Sequence, residues 1–521
     1  MTLNYPFNNF YEILVANTKA LPNNPVLFID DKKVTHAQFQ RKVDAFARFL
    51  EISGVHEEDR VAIVTPNCEE FIISVFAASK IGAVVVPINA LLKENEYVYI
   101  LNDCEAKILI TSIKIAKEMV ALHEKTSVRR TVWVDKAPII DQHHVLFDEV
   151  IAIRPHQEEK IVPRKLDDLA VIFYTSGTTG HPKGAMISYR NIFSNHAAAM
   201  ILFSITPKDR FIVYLPMSHA FTFSIMVMLP FYAKSSLVIM RSILPFSNIL
   251  KQTLLKRVTI FLGVPDVYNA LIRAKLPWYF LWFNKVRAFI SGASALSEST
   301  LNAFNEIFHR AKMLEGYGLS ECSPAVCINP MHRQKVLSVG VALPGYEIKI
   351  VDDEMIEVPR GQVGEIIIKG DCVMQGYLGN PEATESTITN GWLRTGDLGK
   401  MDEDDYIYIV DRMKDIIISK GINIYPRQIE EELMKLEYIK AAAVIGIKDP
   451  HSGEVPAAYV EIQDGFEHMD TSAATIRSAL KMRLANFKLP KTVHIVDELP
   501  KNATGKILKR VLKEQYLQGE M

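Results

Sequence analysis

From residue 60 to about 315, short apolar runs rich in β-branched residues alternate with amphipathic stretches, and this rhythm restricts the fold more than any other feature of the chain. RVAIVTP (60–66) precedes the helical pattern EEFIISVFAASKIG (69–82), which leads into AVVVPIN (83–89). KENEYVYILNDCE (93–105) then leads into AKILIT (106–111). The alternation returns at LAVIFYT (169–175), RFIVYLP (210–216), SLVIM (236–240), TIFLGV (259–264) and VRAFISG (286–292). Strands separated by helices form βαβ units and mostly parallel sheet. Near-continuous apolarity along each strand fits burial on both faces. The expected fold class is α/β, with a large N-terminal domain built of parallel α/β subdomains.

The rhythm then changes twice. After about residue 335, EIKIVDD, VGEIIIKG, GWLRTGDLGKM and DYIYIVDR read as strands with turn signals and no long helix between them, giving a β-rich subdomain over about 335–411. The remaining residues mix the helical patterns RQIEEELMKL and IRSALKMRLANF with the strands KAAAVIGIKD, PAAYVEIQD and TVHIVDELP. That is a small α+β C-terminal domain joined at DRMKD (411–415), so the expected domains are 1–411 and 412–521. A chain of 521 residues has room for about three such units.

Composition, 49% hydrophobic and 23% charged, is that of a globular protein and excludes collagen-like and disordered chains. With 59 basic against 60 acidic residues there is no overall electrostatic grip on nucleic acid, and no nucleic-acid partner is expected. A local basic face stays open. Five cysteines without a C-x-x-C pair read as reduced thiols and not as a disulfide framework. The first residues lack a basic stretch followed by an apolar core, so no signal peptide is expected. The most apolar stretch, AFTFSIMVMLPFYA (220–233), is interrupted by Pro230 and too short to span a bilayer. A cytoplasmic protein without a transmembrane segment is expected, with peripheral membrane contact and homodimerisation left open.

The strongest local signal is YTSGTTGHPKG (174–184), directly after the apolar strand LAVIF. Its glycines let backbone N–H groups turn toward one point, its hydroxyls add donors, and Lys183 adds a cation. A polyphosphate needs all three. The helical pattern beginning near Ser188 is expected to bring a positive dipole end nearby. The G-x-x-x-x-G-K-[ST] spacing of a P-loop is absent, because Gly177, Gly180 and Lys183 recur at threes.

With these residues in view, the chain resembles the adenylate-forming superfamily, and within it acyl-CoA synthetases of the fatty acid–CoA ligase type. The resemblance covers essentially the whole chain. It rests on 174–184, LPMSHAF (215–221), SGASAL (291–296), EGYGLSE (315–321), VGVALPG (339–345), GWLRTGD (391–397), DRMKD (411–415), SKGINIYP (419–426) and PKNATGK (500–506), in the family's order. It implies that ATP and a carboxylic acid give acyl-AMP and pyrophosphate with Mg2+, after which the acyl group passes to CoA. Two anions must meet, so catalysis is mainly positioning and charge neutralisation.

Residue by residue, the resemblance implies Lys506 as the catalytic cation that reaches the carboxylate and the α-phosphate, and Glu321 as the Mg2+ ligand. Thr175, Ser176, Gly177, Thr178, Thr179, Gly180 and Lys183 are the implied phosphate-holding loop, with Thr175 also counted as catalytic. Gly292 and Ala293 would read the base edge and Tyr317 would stack on adenine, in company with Glu315, Gly316, Gly318 and Ser320. Asp397 would bridge the ribose hydroxyls, with Arg412 as a second ribose contact. His219 would position the carboxylate beside the reacting phosphate. Phe221, Phe223 and Met226 lie on a segment apolar nearly all round, which reads either as ordinary core or as an acyl pocket.

The small domain is implied to be a mobile lid. Rotation about the hinge residue Lys414 would replace Lys506 by the loop at Ser419, Lys420 and Gly421, which would hold CoA. Nine Lys and Arg against two acids between 481 and 513 fit either a lid that meets phosphates or a solvated helix face. The expected function is an ATP-dependent carboxylic acid–CoA ligase acting on a medium- or long-chain fatty acid, with ATP, the acid and CoA as partners. An aryl or other acid, and a carrier protein as acceptor, are the alternatives within that class. A pseudoenzyme that binds acyl groups or nucleotide is the non-enzyme alternative. Glu315 stands where an arginine would favour a dicarboxylate, which argues against malonate-type acids.

Overall fold

The structure, a computed structural model, describes residues 3–518 apart from 117–121, 153–160, 176–181, 275, 295, 467 and 502–504. The apolar runs of the first 320 residues are strands of two mixed sheets. In an eight-stranded sheet, Leu169–Thr175, Val84–Pro87, Arg60–Val64, Ala106–Thr111, Arg130–Trp133 and His144–Leu146 lie side by side and parallel. A nine-stranded sheet has six parallel neighbours, Pro25–Ile29, Ser236–Ile239, Arg210–Val213, Ile260–Gly263, Ala288–Ser291 and Lys312–Gly318. Burial on both faces is visible along Arg60–Val64. Val61 and Ile63 enter the main core, whereas Ala62 and Val64 join Tyr97, Leu101 and Trp133 on the opposite face.

The β-rich unit is an antiparallel sheet of Glu347–Val351, Gly364–Lys369, Trp392–Met401, Ile388–Thr389 and Ile407–Arg412. Its last strand carries Asp411 and Arg412, so the chain leaves the large domain inside DRMKD. The small domain has its own five-stranded sheet with a core on each face. Ile417, Ile429, Leu433 and Val444 fill one side, and Ile445, Tyr459, Leu499 and Leu512 fill the other. A core of its own is what allows such a unit to move as a body.

Two expectations change. IRSALKMRLANF is not one helix: Ala473–Lys481 is helical, and the chain then passes to a 3₁₀ turn at Asn486–Lys488. The helix buries Ile476 and Leu480, Met482 just past it is exposed, and Leu484 packs against the same core from outside the helix. Between the glycine-rich loop and helix Tyr189–Phe203 lies the strand Lys183–Ser188, antiparallel to Leu169–Thr175. Lys183 pairs with Thr175 and Ser188 with Leu169, so the helix begins at the far end of the hairpin, about 17 Å from the loop. Its dipole therefore contributes little at the loop.

Candidate active site

Three of the motifs follow the C-terminal ends of parallel strands in the nine-stranded sheet: 215–221 after Arg210–Val213, 292–293 after Ala288–Ser291, and 319–321 after Lys312–Gly318. That edge of an open α/β sheet is where ligands bind. Gly318 is required by close approach, since a Cβ there would lie 1.7 Å from the Pro324 carbonyl oxygen. The ring of Phe221 lies against Gly292, about van der Waals distance from where a Cβ would project, with the Gly316 carbonyl beside it. Ala293 follows with φ +68°, a left-handed conformation unusual for alanine.

Asp397 joins the β-rich sheet to this edge. It is buried, and the Tyr317 hydroxyl donates to its Oδ2 at 2.6 Å. The Arg412 guanidinium pairs with Oδ1 at 3.1 Å, from the neighbouring strand directly opposite Asp397. The Thr395 hydroxyl accepts from the Asp397 backbone N–H at 3.0 Å. A carboxylate has about four acceptor sites, so Asp397 keeps capacity for two more donors. Glu315 is also buried, but its Oε1 accepts from the Leu296 N–H at 3.1 Å and braces the loop after Gly292 from beneath. Burial raises its carboxyl to about 7, against the Leu296 hydrogen bond and the charge of Arg427 from the small domain.

Lys506 reaches this same corner. Burial lowers its ammonium to about 8, Arg412 and Lys414 push the same way, and Asp397 and Asp415 oppose them. Burial, and after it the Lys506 charge, holds the His219 imidazole down at about 4, so the ring is neutral at physiological pH. Its Nδ1 accepts from the Phe221 N–H at 3.4 Å, which leaves the proton of the neutral ring on Nε2. The structure thus brings Lys506, His219, Asp397, Arg412 and Tyr317 together from both domains.

The phosphate-loop residues Ser176, Gly177, Thr178, Thr179 and Gly180 lie outside the described residues. The base of the loop is defined: Thr175 pairs with Lys183, and the Thr175 hydroxyl is 3.5 Å from the Lys183 carbonyl. Tyr377 ties this base to Glu321. Its ring lies under the Lys183 ammonium at 5.3 Å, and its hydroxyl donates to Glu321 Oε1 at 3.0 Å. Ser320 opens the 3₁₀ turn Ser320–Cys322 that sets the direction of Glu321. Tyr377 did not stand out in the sequence; the only sign of it is the Gly-Tyr pair at the edge strand Gly376–Tyr377, which hydrogen-bonds to Lys183–Ser188.

Phe223 and Met226 lie in the π-helical segment Thr222–Met228, fully buried. The Phe223 ring makes edge contacts with Phe10, Phe71 and Phe173, which is core packing. The Ser224 carbonyl accepts the π-type bond from the Leu229 N–H and also lies 3.0 Å from His196 Nε2.

In the small domain, Lys414 sits in the 3₁₀ turn Met413–Asp415. Ser419, Lys420 and Gly421 form the tip of the hairpin Ile417–Ser419/Ile422–Ile424, a two-residue turn with both central φ angles positive, +50° and +78°. The glycine is needed at the second. The turn's hydrogen bonds among the described residues stay within the small domain, as in Lys420 N–H to the Ser452 carbonyl at 2.8 Å. Sequence reading missed the contacts that seat the small domain. Asp411 accepts from the Arg427 N–H at 2.8 Å, inside the first turn of helix Pro426–Met434, and from the Arg412 N–H at 2.8 Å. Beside it Lys509 pairs with Glu430 at 2.7 Å, and Lys501 approaches Asp266 of the large domain at 3.6 Å.

Two family models match the chain: AMP-binding enzyme over residues 14–378, and AMP-binding enzyme C-terminal domain over residues 428–506. The chain belongs to the AMP-binding enzyme family. A feruloyl-CoA synthase of Amycolatopsis sp is 33% identical over 485 residues, 93% of this chain and 94% of that protein. A long-chain-fatty-acid–CoA ligase of Bacillus subtilis (strain 168) is 31% identical over 538 aligned residues, 98% of this chain and 95% of that one. ATP-bound MatB from Rhodopseudomonas palustris superposes with a TM-score of 0.88 at 31% identity, covering 98% of this chain and 99% of that one. The apo form of MatB, at the same identity and coverage, superposes with a TM-score of 0.76. This member of the family is an AMP-forming acid–CoA ligase with an α/β large domain and a small C-terminal domain. Its arrangement is nearer to the ATP-bound relative than to the apo one. Among the described residues no helix is long and apolar enough to cross a membrane.

Proposed function

We propose that this ligase activates a medium- or long-chain fatty acid as acyl-AMP, releasing pyrophosphate, and then transfers the acyl group to CoA. The observation that carries the adenylation step is the convergence of Lys506 on Asp397, Arg412 and His219. A carboxylate oxygen attacks the α-phosphorus, an O–P bond forms, and the bond to pyrophosphate breaks. Lys506 holds the approaching carboxylate and the α-phosphate, whose charges would otherwise repel. The neutral His219 offers an Nε2–H to the carboxylate and does not compete as a base. Asp397 takes the ribose hydroxyls with its free acceptor capacity, and Tyr317 offers its ring to adenine while its hydroxyl holds Asp397. Lys183 and the loop it closes receive the β- and γ-phosphates. Mg2+ fits at Glu321: a single carboxylate oriented by Tyr377, with phosphate oxygens to complete the shell, is its usual protein site, and it would neutralise phosphate charge.

Transfer to CoA requires the small domain to turn about Lys414, so that the thiol can attack the acyl carbon and displace AMP. Asp411 precedes the pivot and stays with the large domain, whereas Arg427 and Lys509 would leave with the small one. Asp411→Asn should therefore slow acyl-AMP formation about tenfold by leaving a buried donor pair mismatched, with thioester formation from supplied acyl-AMP unchanged or faster. Rapid-quench measurement of the two half-reactions checks it. A second readout is the pH profile. Because the Lys506 ammonium is lowered to about 8, kcat/KM for ATP should be level below that pH and fall tenfold per unit above it. In Lys506→Arg that alkaline limb should disappear.

The fatty-acid reading is supported by the Bacillus subtilis relative's match along nearly its whole length. An aryl acid is the second reading, favoured by the feruloyl-CoA synthase. A panel of saturated fatty acids, cinnamic and benzoic acids and dicarboxylates, followed by pyrophosphate release with CoA present, separates them. Greater kcat/KM for any aryl acid than for every fatty acid would overturn the fatty-acid reading.

A further inference from the structure

The short helix Trp278–Phe283 is held by Phe280, which is 4% exposed, while Trp278, Tyr279, Trp282 and Phe283 are 69%, 46%, 63% and 62% exposed. Positions 278, 279, 282 and 283 lie on one face of a helix. The helix packs against Phe246–Leu255, whose final leucine is also exposed. Arg310 stacks over the Trp282 ring at 5.0 Å and donates to its carbonyl at 3.3 Å, so the indole is oriented although it is open to solvent. Isolated exposed hydrophobic residues are ordinary; four aromatic rings on one face are not.

Charge identifies what covers this face. Residues 210–297 contain ten Lys and Arg and one acid, Asp266, while the rest of the chain holds 49 basic and 59 acidic residues. Arg287 and Arg241 are paired with Asp209 and Asp30, and Asp266 is itself approached by Lys501. Lys251, Lys256, Arg257 and Lys285, on or beside the two helices, have no acidic partner among the described residues. A second copy meeting the same patch across a two-fold axis would bring these cations together with no acid to balance them. A surface of negative phosphates over hydrocarbon satisfies both halves: cations meet the headgroups, and tryptophan, tyrosine and phenylalanine enter the interface.

We propose that the face built by Trp278–Phe283 and residues 251–257 seats the enzyme on an anionic lipid bilayer as a peripheral, non-spanning anchor. The inference rests on surface composition and stands whether the acid is aliphatic or aromatic. The test is co-sedimentation of the full chain with vesicles of phosphatidylglycerol and phosphatidylcholine in equal parts, against vesicles of phosphatidylcholine alone. Two of the four tryptophans lie in the patch, so binding should also shift the emission to the blue. The expected result is binding to the anionic vesicles, weakened by salt and reduced about tenfold or more in Trp278→Ser/Trp282→Ser/Phe283→Ser. That variant should keep the parent's turnover on a short, water-soluble acid, which shows that it is folded. Equal binding by parent and variant, or no preference for the anionic vesicles, overturns the proposal. So does a parent dimer that the three substitutions dissociate in the absence of lipid.

Discussion

Lys506→Ala should lower acyl-AMP formation by about two to three orders of magnitude while leaving thioester formation from supplied acyl-AMP within a few-fold of the parent. The asymmetry follows from the geometry. Lys506 is the cation that the small domain contributes to a corner otherwise made by the large domain's His219, Asp397 and Arg412. Its ammonium is lowered by burial because the site strips water from it, and a cation without its water is the one that acts most strongly on a developing negative charge. Arg412 cannot substitute, since its guanidinium is committed to Asp397 at 3.1 Å. Acid-dependent pyrophosphate release measures the first half-reaction, and CoA consumption on supplied acyl-AMP measures the second. A loss shared equally between the two would mean that Lys506 supports the fold of the small domain and not the first chemical step.

Lys414→Pro should separate the half-reactions in the opposite sense. The residue lies in the 3₁₀ turn Met413–Asp415, where φ is near the value that proline imposes. Proline is therefore compatible with the present orientation, held by Asp411 to Arg427 and by Lys501 near Asp266, and resists the backbone rotation needed to leave it. Adenylation should stay within about threefold, and transfer to CoA should fall by at least about tenfold. Single-turnover rates of each step decide the matter. If both are retained, the chain pivots elsewhere.

Much of this was legible in the sequence because the strands carry it in local pattern. The runs at 60–66, 83–89, 106–111 and 286–292 each hold a strand, and the change of rhythm after about 335 corresponds to the antiparallel sheet that begins with Glu347–Val351. The resemblance carried by the motifs also pointed to Asp397, Tyr317 and Lys506, which the fold unites from positions far apart in the chain. What was not legible depends on tertiary pairing. MISYRNIF at 186–193 reads as the approach to a helix, yet Lys183–Ser188 is a strand, because Leu169–Thr175 offers it an edge. Asp411 looks like one charge in a charged linker until helix Pro426–Met434 brings the Arg427 N–H against it. Tyr377 acquires a role only when the edge strand carries it between Lys183 and Glu321. Phe223 shows the converse: its apolar neighbours in sequence fit a pocket or a core equally, and only Phe10, Phe71 and Phe173 reveal how its ring packs.

The account turns on an acyl-AMP made before CoA takes part, and a quench-flow assay of pyrophosphate without CoA tests that most directly. With enzyme, MgATP and a fatty acid, pyrophosphate should appear in a burst of about one equivalent per enzyme and then nearly stop, with bound acyl-AMP in the same amount; CoA should restore continuous turnover to acyl-CoA and AMP. Pyrophosphate that appears only once CoA is present, or ADP and phosphate in place of AMP and pyrophosphate, would contradict it.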